Sequence, residues 1–276
     1  MGTLFVVSTP IGNMEDMTFR AVRVLREVHL VAAEDTRSAR KLFSRYGIST
    51  PLTSYFEGNE KEKAPGLVEK LKEGRDIALI SEAGTPGISD PGYRLIRLAI
   101  ENSIPVVPVP GPSALITALS VSGLPLDEFT FRGFVPTGKN RKREFFLEML
   151  STEHTFVMYE SARRLDETLE IITEVLGDVY VVVAREMTKL HEEVLRGRAL
   201  EIRRISGERP LRGELAIILR TELKAPTATD LAAGIAELLK SGLKLKEVVR
   251  ALSREFGLPR GAVYKEALRI KEELGL

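Results

Sequence analysis

Short apolar runs alternate with amphipathic segments along the first part of the chain. The apolar runs are typical of strands buried on both faces of a parallel sheet, and they are Leu4–Val7, Leu30–Ala33, Ile77–Ile80 and Val106–Val109. Between them, apolar positions recur at helical spacing, which predicts helices over Thr18–Val28, Thr36–Tyr46 and from Asn59 to Lys72. Strand–helix alternation of this kind predicts an open α/β sheet.

A second series of strands follows the Gly/Pro-containing joint at residues 122–125. The predicted strands are Phe129–Phe131, Phe156–Tyr159, Val179–Ala184 and Leu215–Leu219, and helical patterns lie near Lys142–Leu150 and Asp166–Val175. From Ala225 the pattern becomes helical only, near Thr229–Lys240, Leu245–Phe256 and Ala262–Glu273, with turns at Ser241-Gly242 and Gly257-Leu258-Pro259. We therefore expect an N-terminal α/β lobe over residues 1–122, a second α/β lobe over 123–223 and a small helical domain over 224–276. The last could be a helix-turn-helix-like unit or a helical cap on the second lobe.

Composition narrows the kinds of chemistry that the chain could perform. Its 276 residues contain no cysteine and carry a formal net charge of +1. Disulfides, thiolate catalysis and cysteine-based zinc sites are therefore excluded, and the three histidines are too far apart to predict a metal site. The N-terminus lacks the basic region of a signal peptide, and no apolar stretch is long enough to cross a bilayer. We expect a soluble protein of the cytoplasm.

Four loops that each follow a predicted strand carry most of the candidate chemistry. They are residues 8–13 (STPIGN), 33–37 (AEDTR), 81–87 (SEAGTPG) and 110–114 (PGPSA). In open α/β sheets the ligand crevice lies at the carboxyl ends of the strands, and glycine lets the backbone approach a ligand closely. For each loop the alternative is structural. In particular, Ser89-Asp90-Pro91 has the pattern of a helix cap followed by proline at the first helical position.

Clustered basic residues offer two further interpretations. Residues 132–143 contain no acidic residue and include Lys139, Arg141, Lys142 and Arg143, which could either contact RNA phosphates or form a solvated face. The same segment reads G-x-x-x-x-G-K from Gly133, but Asn140 stands where a phosphate-binding loop needs Ser or Thr. A nucleotide-binding regulatory protein is therefore the alternative from a different functional class.

An ordered set of motifs identifies a family. STPIGNMEDMTFRA, AEDTR, SEAGTPGISDPG, PGPSA, MYES, AREMTKLHEEVLRG and a closing Gly-Glu occur in this order between Leu4 and about Leu219. Together they closely resemble the tetrapyrrole methylase superfamily, and within it the bacterial enzymes that methylate small-subunit ribosomal RNA. The resemblance implies two α/β lobes with S-adenosylmethionine between them. It also implies a homodimer, with the 2′-hydroxyl of a decoding-centre cytidine in small-subunit RNA as methyl acceptor and neither DNA nor a membrane as partner.

The same resemblance implies which residues meet the two substrates. The expected cofactor contacts are Ile11, Gly12, Glu82, Gly84, Thr85, Ser113, Ala114, Met158, Tyr159, Ala184 and Gly213. Glu34 and Asp35 are candidates for removing the proton of the ribose hydroxyl, and Arg37 and Lys189 for holding the adjacent phosphate. The alternative for these four is a salt-bridge network between the lobes.

This sequence departs from the family pattern at three places. Glu82 replaces an aspartate, Phe56 and Gly58 stand where the family has histidines, and Ala162-Arg163 replaces Pro-His. A mechanism that needs those histidines is therefore not expected here. A methylase of tetrapyrroles or other small molecules on the same fold is the nearest alternative function.

Overall fold

The computed structural model describes residues 1–150, 152–209, 211–221, 228–256 and 258–275. Contacts divide the chain into two compact units, Met1–Thr221 and Glu222–Leu276. The expected α/β fold class is confirmed, because the first unit contains two sheets flanked by helices. The predicted boundary at residues 223–224, the change of pattern at Ala225 and Gly257 of the second predicted turn lie outside the described residues. The division into three domains stays a prediction.

Five parallel strands form the first sheet, in the order β3-β2-β4-β1-β5. They are β1 (Leu4–Val7), β2 (Leu30–Ala33), β3 (Leu52–Ser54), β4 (Ile77–Ile80) and β5 (Val106–Val109). The connecting helices are α1 (Phe19–Glu27), α2 (Thr36–Tyr46), α3 (Glu60–Lys72), α4 (Tyr93–Glu101) and α5 (Ala114–Ser120). The four predicted strands are confirmed residue for residue, whereas β3 is an addition.

The central strand β4 shows why this sheet needs helices on both faces. Successive strand side chains point to opposite faces. Ile77 and Leu79 belong to one apolar cluster, and Ala78 and Ile80 belong to the other. All four are buried, so a polar residue at any of these positions would be placed in a core. Because the strands are parallel, the loops after β1, β2, β4 and β5 emerge at one edge.

A mixed sheet in the order β6-β7-β10-β8-β9 forms the second lobe. Its strands are β6 (Phe129–Phe134), β7 (Thr155–Ser161), β8 (Tyr180–Arg185), β9 (Glu193–Arg198) and β10 (Glu214–Arg220). Only β6 and β7 are parallel to each other. Helices α6 (Lys139–Leu147), α7 (Leu165–Leu176) and α8 (Ala199–Glu208) accompany the sheet. Three of the strands predicted in this lobe are confirmed with longer bounds, and the fourth, β8, is confirmed with a shift of one residue. Strand β9 is an addition.

Three helices make up the described part of the C-terminal unit. They are α9 (Ala228–Lys240), α10 (Leu245–Glu255) and α11 (Arg260–Glu273), which confirms the predicted segments within a few residues. Ile235, Val248 and Val263 are completely buried among them, so the unit has an apolar core of its own. Within the described residues, no helix has both the length and the apolar character needed to span a membrane.

Candidate active site between the two lobes

Hydrogen bonds join the loops that follow β1, β4 and β5. Thr9 and Gly84 pair through both backbone N–H groups, at N···O distances of 2.9 and 3.0 Å. The hydroxyls of Ser8 and Thr85 lie 2.8 Å apart. A Cβ on Gly111 would lie 3.0 Å from Cβ of Ser8, so glycine lets the third loop approach β1. The three loops therefore form one rigid edge.

The loop after β2 joins this edge through carboxylates. The backbone N–H of Glu82 donates to Oε2 of Glu34 over 3.0 Å, and the hydroxyl of Ser38 donates to Oε1 of Glu82 over 3.1 Å. Asp35 is instead the N-cap residue of α2 and accepts from the N–H of Arg37 over 2.7 Å. Hydrogen bonds from the Arg37 side chain and backbone lower the pKa of Asp35 to about 2. Asp35 is therefore a weak base.

The wall contributed by the second lobe consists of one row of side chains across three strands. Tyr159 on β7 pairs with Ala216 on β10, which pairs with Ala184 on β8. The two alanines leave room in front of the sheet. Met158 belongs to the opposite face, where it is completely buried in a separate apolar cluster. Strand alternation therefore keeps the Met158 side chain out of the cavity lining, and the cofactor contact expected at this position stays a prediction.

The two lobes touch directly at Gly12. A Cβ there would lie 2.4 Å from Cγ of Lys189 and 2.8 Å from Oγ1 of Thr188. The N–H of Asn13 donates to the same Thr188 hydroxyl over 3.0 Å. Glu186 and Thr188 have φ angles of 48° and 66°, a conformation that costs energy in non-glycine residues. The turn that meets Gly12 is therefore strained and tightly held.

An ion network fixes Lys189 beside this junction. Its ammonium donates to Oε1 of Glu186 over 3.0 Å and to Oε2 of Glu214 over 3.1 Å. Burial opposes both charges, yet these bonds raise the pKa of Lys189. The pKa of Glu186 falls, because the backbone of Glu214 and the ammonium of Lys189 outweigh burial. Lys189 thus stays charged, and part of the salt-bridge alternative is present within the second lobe.

A cavity of about 1200 Å³ lies between these loops and this wall. Of the residues expected at the site from sequence, those that line it are Ile11, Gly12, Glu34, Glu82, Thr85, Ser113, Ala114, Arg141, Tyr159, Ala184, Lys189 and Gly213. Those outside its lining are Asp35, Arg37, Gly84, Lys139, Lys142, Arg143 and Met158. The volume exceeds the usual range for a single small ligand, so it can accommodate a cofactor together with part of an acceptor.

The basic segment divides into residues with different surroundings. Lys142 is completely buried, and its ammonium bonds Glu167 over 2.5 Å and Thr168 over 3.1 Å. The phosphate contact expected of Lys142 is therefore corrected, because its charge is already neutralised inside the protein. Arg143 forms a two-point pair with Glu174. Arg141 is exposed, lines the cavity and forms no ion pair with any described residue.

The glycine pattern that starts at Gly133 does not form a phosphate-binding loop. Gly133 lies inside β6, at an irregularity in its register with β7. Only residues 135–138 connect this strand to α6. The first glycine of the pattern is therefore part of the sheet rather than of the connecting loop.

Six charged residues of the cavity wall are not among the candidates from sequence, and two of them, Glu186 and Glu214, are the partners of Lys189 described above. The other four are Lys41, Asp90, Glu160 and Arg164. Arg164 bonds Glu160 over 2.5 Å and the carbonyl of Val135 over 3.0 Å, and its Nη1 is buried without a hydrogen-bond partner. Asp90 lies three residues beyond the loop at residues 81–87, in the segment whose sequence has the pattern of a helix cap. The helix actually begins at Tyr93, with Gly92 as its N-cap residue.

The chain matches a family of methylases over most of its length. The family model of the tetrapyrrole (corrin/porphyrin) methylases matches residues 3–203. Among solved structures, the methyltransferase CobJ is similar with a TM-score of 0.60 and 17% identity, over 80% of this chain and 95% of that chain. A uroporphyrin-III C-methyltransferase from Thermus thermophilus, complexed with S-adenyl homocysteine, has a TM-score of 0.56 and 18% identity, over 79% of this chain and 97% of that chain. These likenesses show the fold.

Sequence relatives are much closer. A protein of Thermotoga maritima named ribosomal RNA small subunit methyltransferase I is 48% identical over 79% of this chain and 98% of the relative. Proteins of the same name from Escherichia coli O157:H7 and Halalkalibacterium halodurans are 42% and 40% identical. They match 97% and 95% of this chain, and 95% and 93% of their own lengths.

Proposed function

The chain belongs to the tetrapyrrole methylases, and within them to the ribosomal RNA small subunit methyltransferase I family, and we propose that it methylates a ribose 2′-hydroxyl of small-subunit ribosomal RNA. The proposed acceptor is a cytidine of the decoding region. The observation that carries the proposal is the cavity between the lobes. It combines glycine-containing loops with two exposed cations, Lys41 of the first lobe and Arg141 of the second, which form no ion pair with any described residue.

S-adenosylmethionine is the methyl donor of this family, and the residues of the cavity fit it. Gly12 and Gly213 stand where a side chain would collide with Lys189 and Glu186, respectively. Ala184 and Ala216 keep the opposite wall shallow. We propose that the cofactor lies between this wall and the Thr85 and Ser113 loops. When bound, it supplies an electrophilic methyl group.

Cations at the cavity wall support a polyanionic acceptor. Lys41 and Arg141 are exposed, line the cavity and form no ion pair with any described residue. Because the chain has a net charge of only +1, affinity for RNA must come from such local groups. We assign them to phosphates beside the reacting nucleotide. Lys139 remains a candidate farther along the RNA, and Arg143 is a weaker one because Glu174 holds it.

Catalysis on this arrangement is mainly alignment. The acceptor oxygen must reach the methyl carbon opposite the bond to sulfur, and holding two reactants in that geometry removes a large entropic barrier. Gly12 and the turn at Lys189 bring the lobes together at this position. Lys189 is proposed to hold a phosphate, with Glu186 and Glu214 fixing its ammonium. Glu34 is proposed to brace the Glu82 loop, while Asp35 and Arg37 stay at the rim.

The proposal has two further parts. We expect the protein to act as a homodimer, as the family resemblance implies, and to work in the cytoplasm, where small ribosomal subunits assemble. The molar mass in dilute solution, measured by light scattering, tests the first part. A mass that stays near the 30.6 kDa of one chain would contradict the dimer.

Methyl transfer can be measured directly on the proposed acceptor. Small subunits from cells that lack the corresponding gene would be incubated with purified protein and methyl-labelled S-adenosylmethionine. Label is expected in one cytidine ribose, found by mapping nuclease- or alkali-resistant positions. Deoxyribose-substituted RNA, which lacks the 2′-hydroxyl, serves as the control. Label in a porphyrinoid substrate but not in RNA would instead support a small-molecule methylase.

A further inference from the structure

Six carboxyl groups line the cavity, and five of them are engaged. Glu34 accepts from the N–H of Glu82, and Glu82 accepts from Ser38. Arg164 holds the carboxylate of Glu160. Lys189 and the N–H of Glu214 hold that of Glu186, and Lys189 also holds that of Glu214. Asp90 is the exception among the six, since none of the hydrogen bonds and ion pairs of the described residues holds its carboxylate, although the hydroxyl of Ser81 lies nearby. It is therefore the cavity carboxyl group that is available to a substrate hydroxyl.

The backbone around Asp90 is held in an unusual conformation. Ser89 and Gly92 have φ angles of 62° and 153°. A Cβ on Gly92 would lie 3.1 Å from the N of Gly87, and the N–H of Gly92 donates to Oε1 of Glu60 over 2.8 Å. Strain of this kind persists where the surrounding structure holds it. The turn therefore presents Asp90 to the cavity instead of using it to cap α4.

The groups that face Asp90 come from several elements. Glu34 follows β2, Glu82 follows β4 and Glu214 begins β10, while the phenol of Tyr159 lies on β7. Burial, followed by the charges of these carboxylates, raises the pKa of Asp90 to about 6, although the nearby hydroxyl of Ser81 acts in the opposite direction. A carboxylate with this pKa is a stronger base than an ordinary one and is still ionised at neutral pH.

We propose that Asp90 is the general base that accepts the proton of the acceptor hydroxyl during methyl transfer. This inference rests on the proposed function. As the ribose oxygen forms its bond to the methyl carbon, the bond from that carbon to sulfur breaks and sulfur keeps the electron pair. The hydroxyl proton passes to a carboxylate oxygen of Asp90 and from there to water. No other reactant is needed.

The carboxyl groups first considered for this role are less suitable. Asp35 lies outside the cavity lining, and Arg37 holds its pKa at about 2. Glu34 lines the cavity, but one of its oxygens already accepts a hydrogen bond from the Glu82 backbone. A base must be within hydrogen-bond reach of the proton and must have a matched pKa. Asp90 lines the cavity, where an acceptor hydroxyl has access to it, and its pKa of about 6 is closer to neutral pH than that of an ordinary carboxyl group.

Single-turnover methylation of small subunits between pH 5 and 9 tests the assignment. In the wild-type protein we expect the rate to rise with pH and to level above about pH 6. Asp90→Asn keeps the shape of the side chain but cannot accept the proton. Its rate should therefore fall by about 100-fold or more, and the decrease of the rate towards acidic pH (the acidic limb of the profile) should disappear. Asp90→Glu should recover part of the rate and keep an acidic limb, at a shifted pH because a different carboxyl group titrates. Asp127→Asn, an exposed residue outside the cavity, is the matched control.

Each outcome is interpretable because cofactor binding and thermal unfolding are measured on the same samples. An Asp90→Asn variant that binds S-adenosylmethionine normally yet is inactive supports the base. If that variant retains a rate within about threefold of the wild type, or keeps the same acidic limb, the assignment is overturned. If wild-type protein transfers no methyl group to RNA at any pH, the proposed function fails instead. If Asp90→Asn does not fold, Asp90→Glu decides the question. An acidic limb of the Asp90→Glu profile at the same pH as in the wild type would then overturn the proposal.

Discussion

Gly12 and Lys189 approach each other so closely that any side chain on Gly12 would overlap Lys189. The two residues lie on different lobes, and a Cβ on Gly12 would be 2.4 Å from Cγ of Lys189. The ammonium of the same lysine is fixed by Glu186 and Glu214. The contact therefore links the first glycine-containing loop to the charged turn of the second lobe, and it sets the width of the cavity at this point.

Gly12→Ala should consequently weaken both the lobe contact and cofactor binding. Overpacking at such a position costs about 1–3 kcal/mol. We expect a lower unfolding temperature and at least a tenfold loss of affinity for S-adenosylmethionine, measured by calorimetry. Gly66→Ala is the control, because no atom lies within 4 Å of a Cβ there and alanine is favoured within a helix. Equal behaviour of the two variants would show that the lobe contact is not constrained.

Ser113→Arg should abolish cofactor binding and leave the fold intact. Ser113 lines the cavity at the start of α5, so a long cation would occupy the space assigned to the cofactor. Ile116→Arg on the same helix is the control, since Ile116 is 55% exposed and does not line the cavity. Titration calorimetry and circular dichroism distinguish the two effects. Normal affinity in folded Ser113→Arg would place the cofactor elsewhere.

Arg141→Ala should weaken RNA binding without changing cofactor affinity. Each phosphate contact releases counterions when RNA binds. Loss of one contact should therefore reduce the slope of log affinity against log salt concentration by about one. Arg143→Ala is the matched control because Glu174 already neutralises Arg143. The measurement is the affinity for a small-subunit RNA fragment as a function of salt concentration. An unchanged slope in Arg141→Ala would remove Arg141 from the interface.

Lys142→Met should act on stability rather than on RNA. The Lys142 side chain is completely buried and bonded to Glu167 and Thr168. Removing one partner of a buried ion pair typically costs about 3–5 kcal/mol, and the partial exposure of Glu167 places the expected loss near the lower value. Urea unfolding measures this loss. Retained stability together with a shallower salt dependence of RNA binding would restore Lys142 as a phosphate ligand.

Asp90→Asn should stabilise the folded protein at neutral pH. The pKa of Asp90 rises from 3.8 to about 6 on folding, so the folded state binds more protons and wild-type stability falls as the pH increases through that window. The difference corresponds to about 3 kcal/mol, which solvent screening at this half-buried site reduces to about 1 kcal/mol. The gain should disappear below about pH 4. Urea unfolding at pH 4 and at pH 7.5 measures the difference in free energy of unfolding between Asp90→Asn and the wild type. A difference that is the same at both pH values would show that the pKa of Asp90 is not raised.

Four of the five strands of the first sheet, and the family, could be predicted from the sequence. Leu30–Ala33, Ile77–Ile80 and Val106–Val109 were predicted residue for residue, since continuous apolar runs leave few alternatives to a strand buried on both faces. β9, with the sequence EVLRGR, was missed. Its charges and glycine weaken the local signal, and its pairing with β8 comes from tertiary contacts.

The roles of individual charged residues depended on the tertiary structure. Lys142 and Arg141 are adjacent in one basic run, yet packing of α6 against α7 buries the first and leaves the second exposed at the cavity. In sequence, Asp90 has the pattern of a helix cap. Only the fold brings it near Glu34, Glu82 and Glu214, which are 56, 8 and 124 positions away. Residue type and spacing therefore determined the elements and the family, whereas desolvation and charge at the cavity, which decide the chemistry, depend on which distant residues the fold brings together.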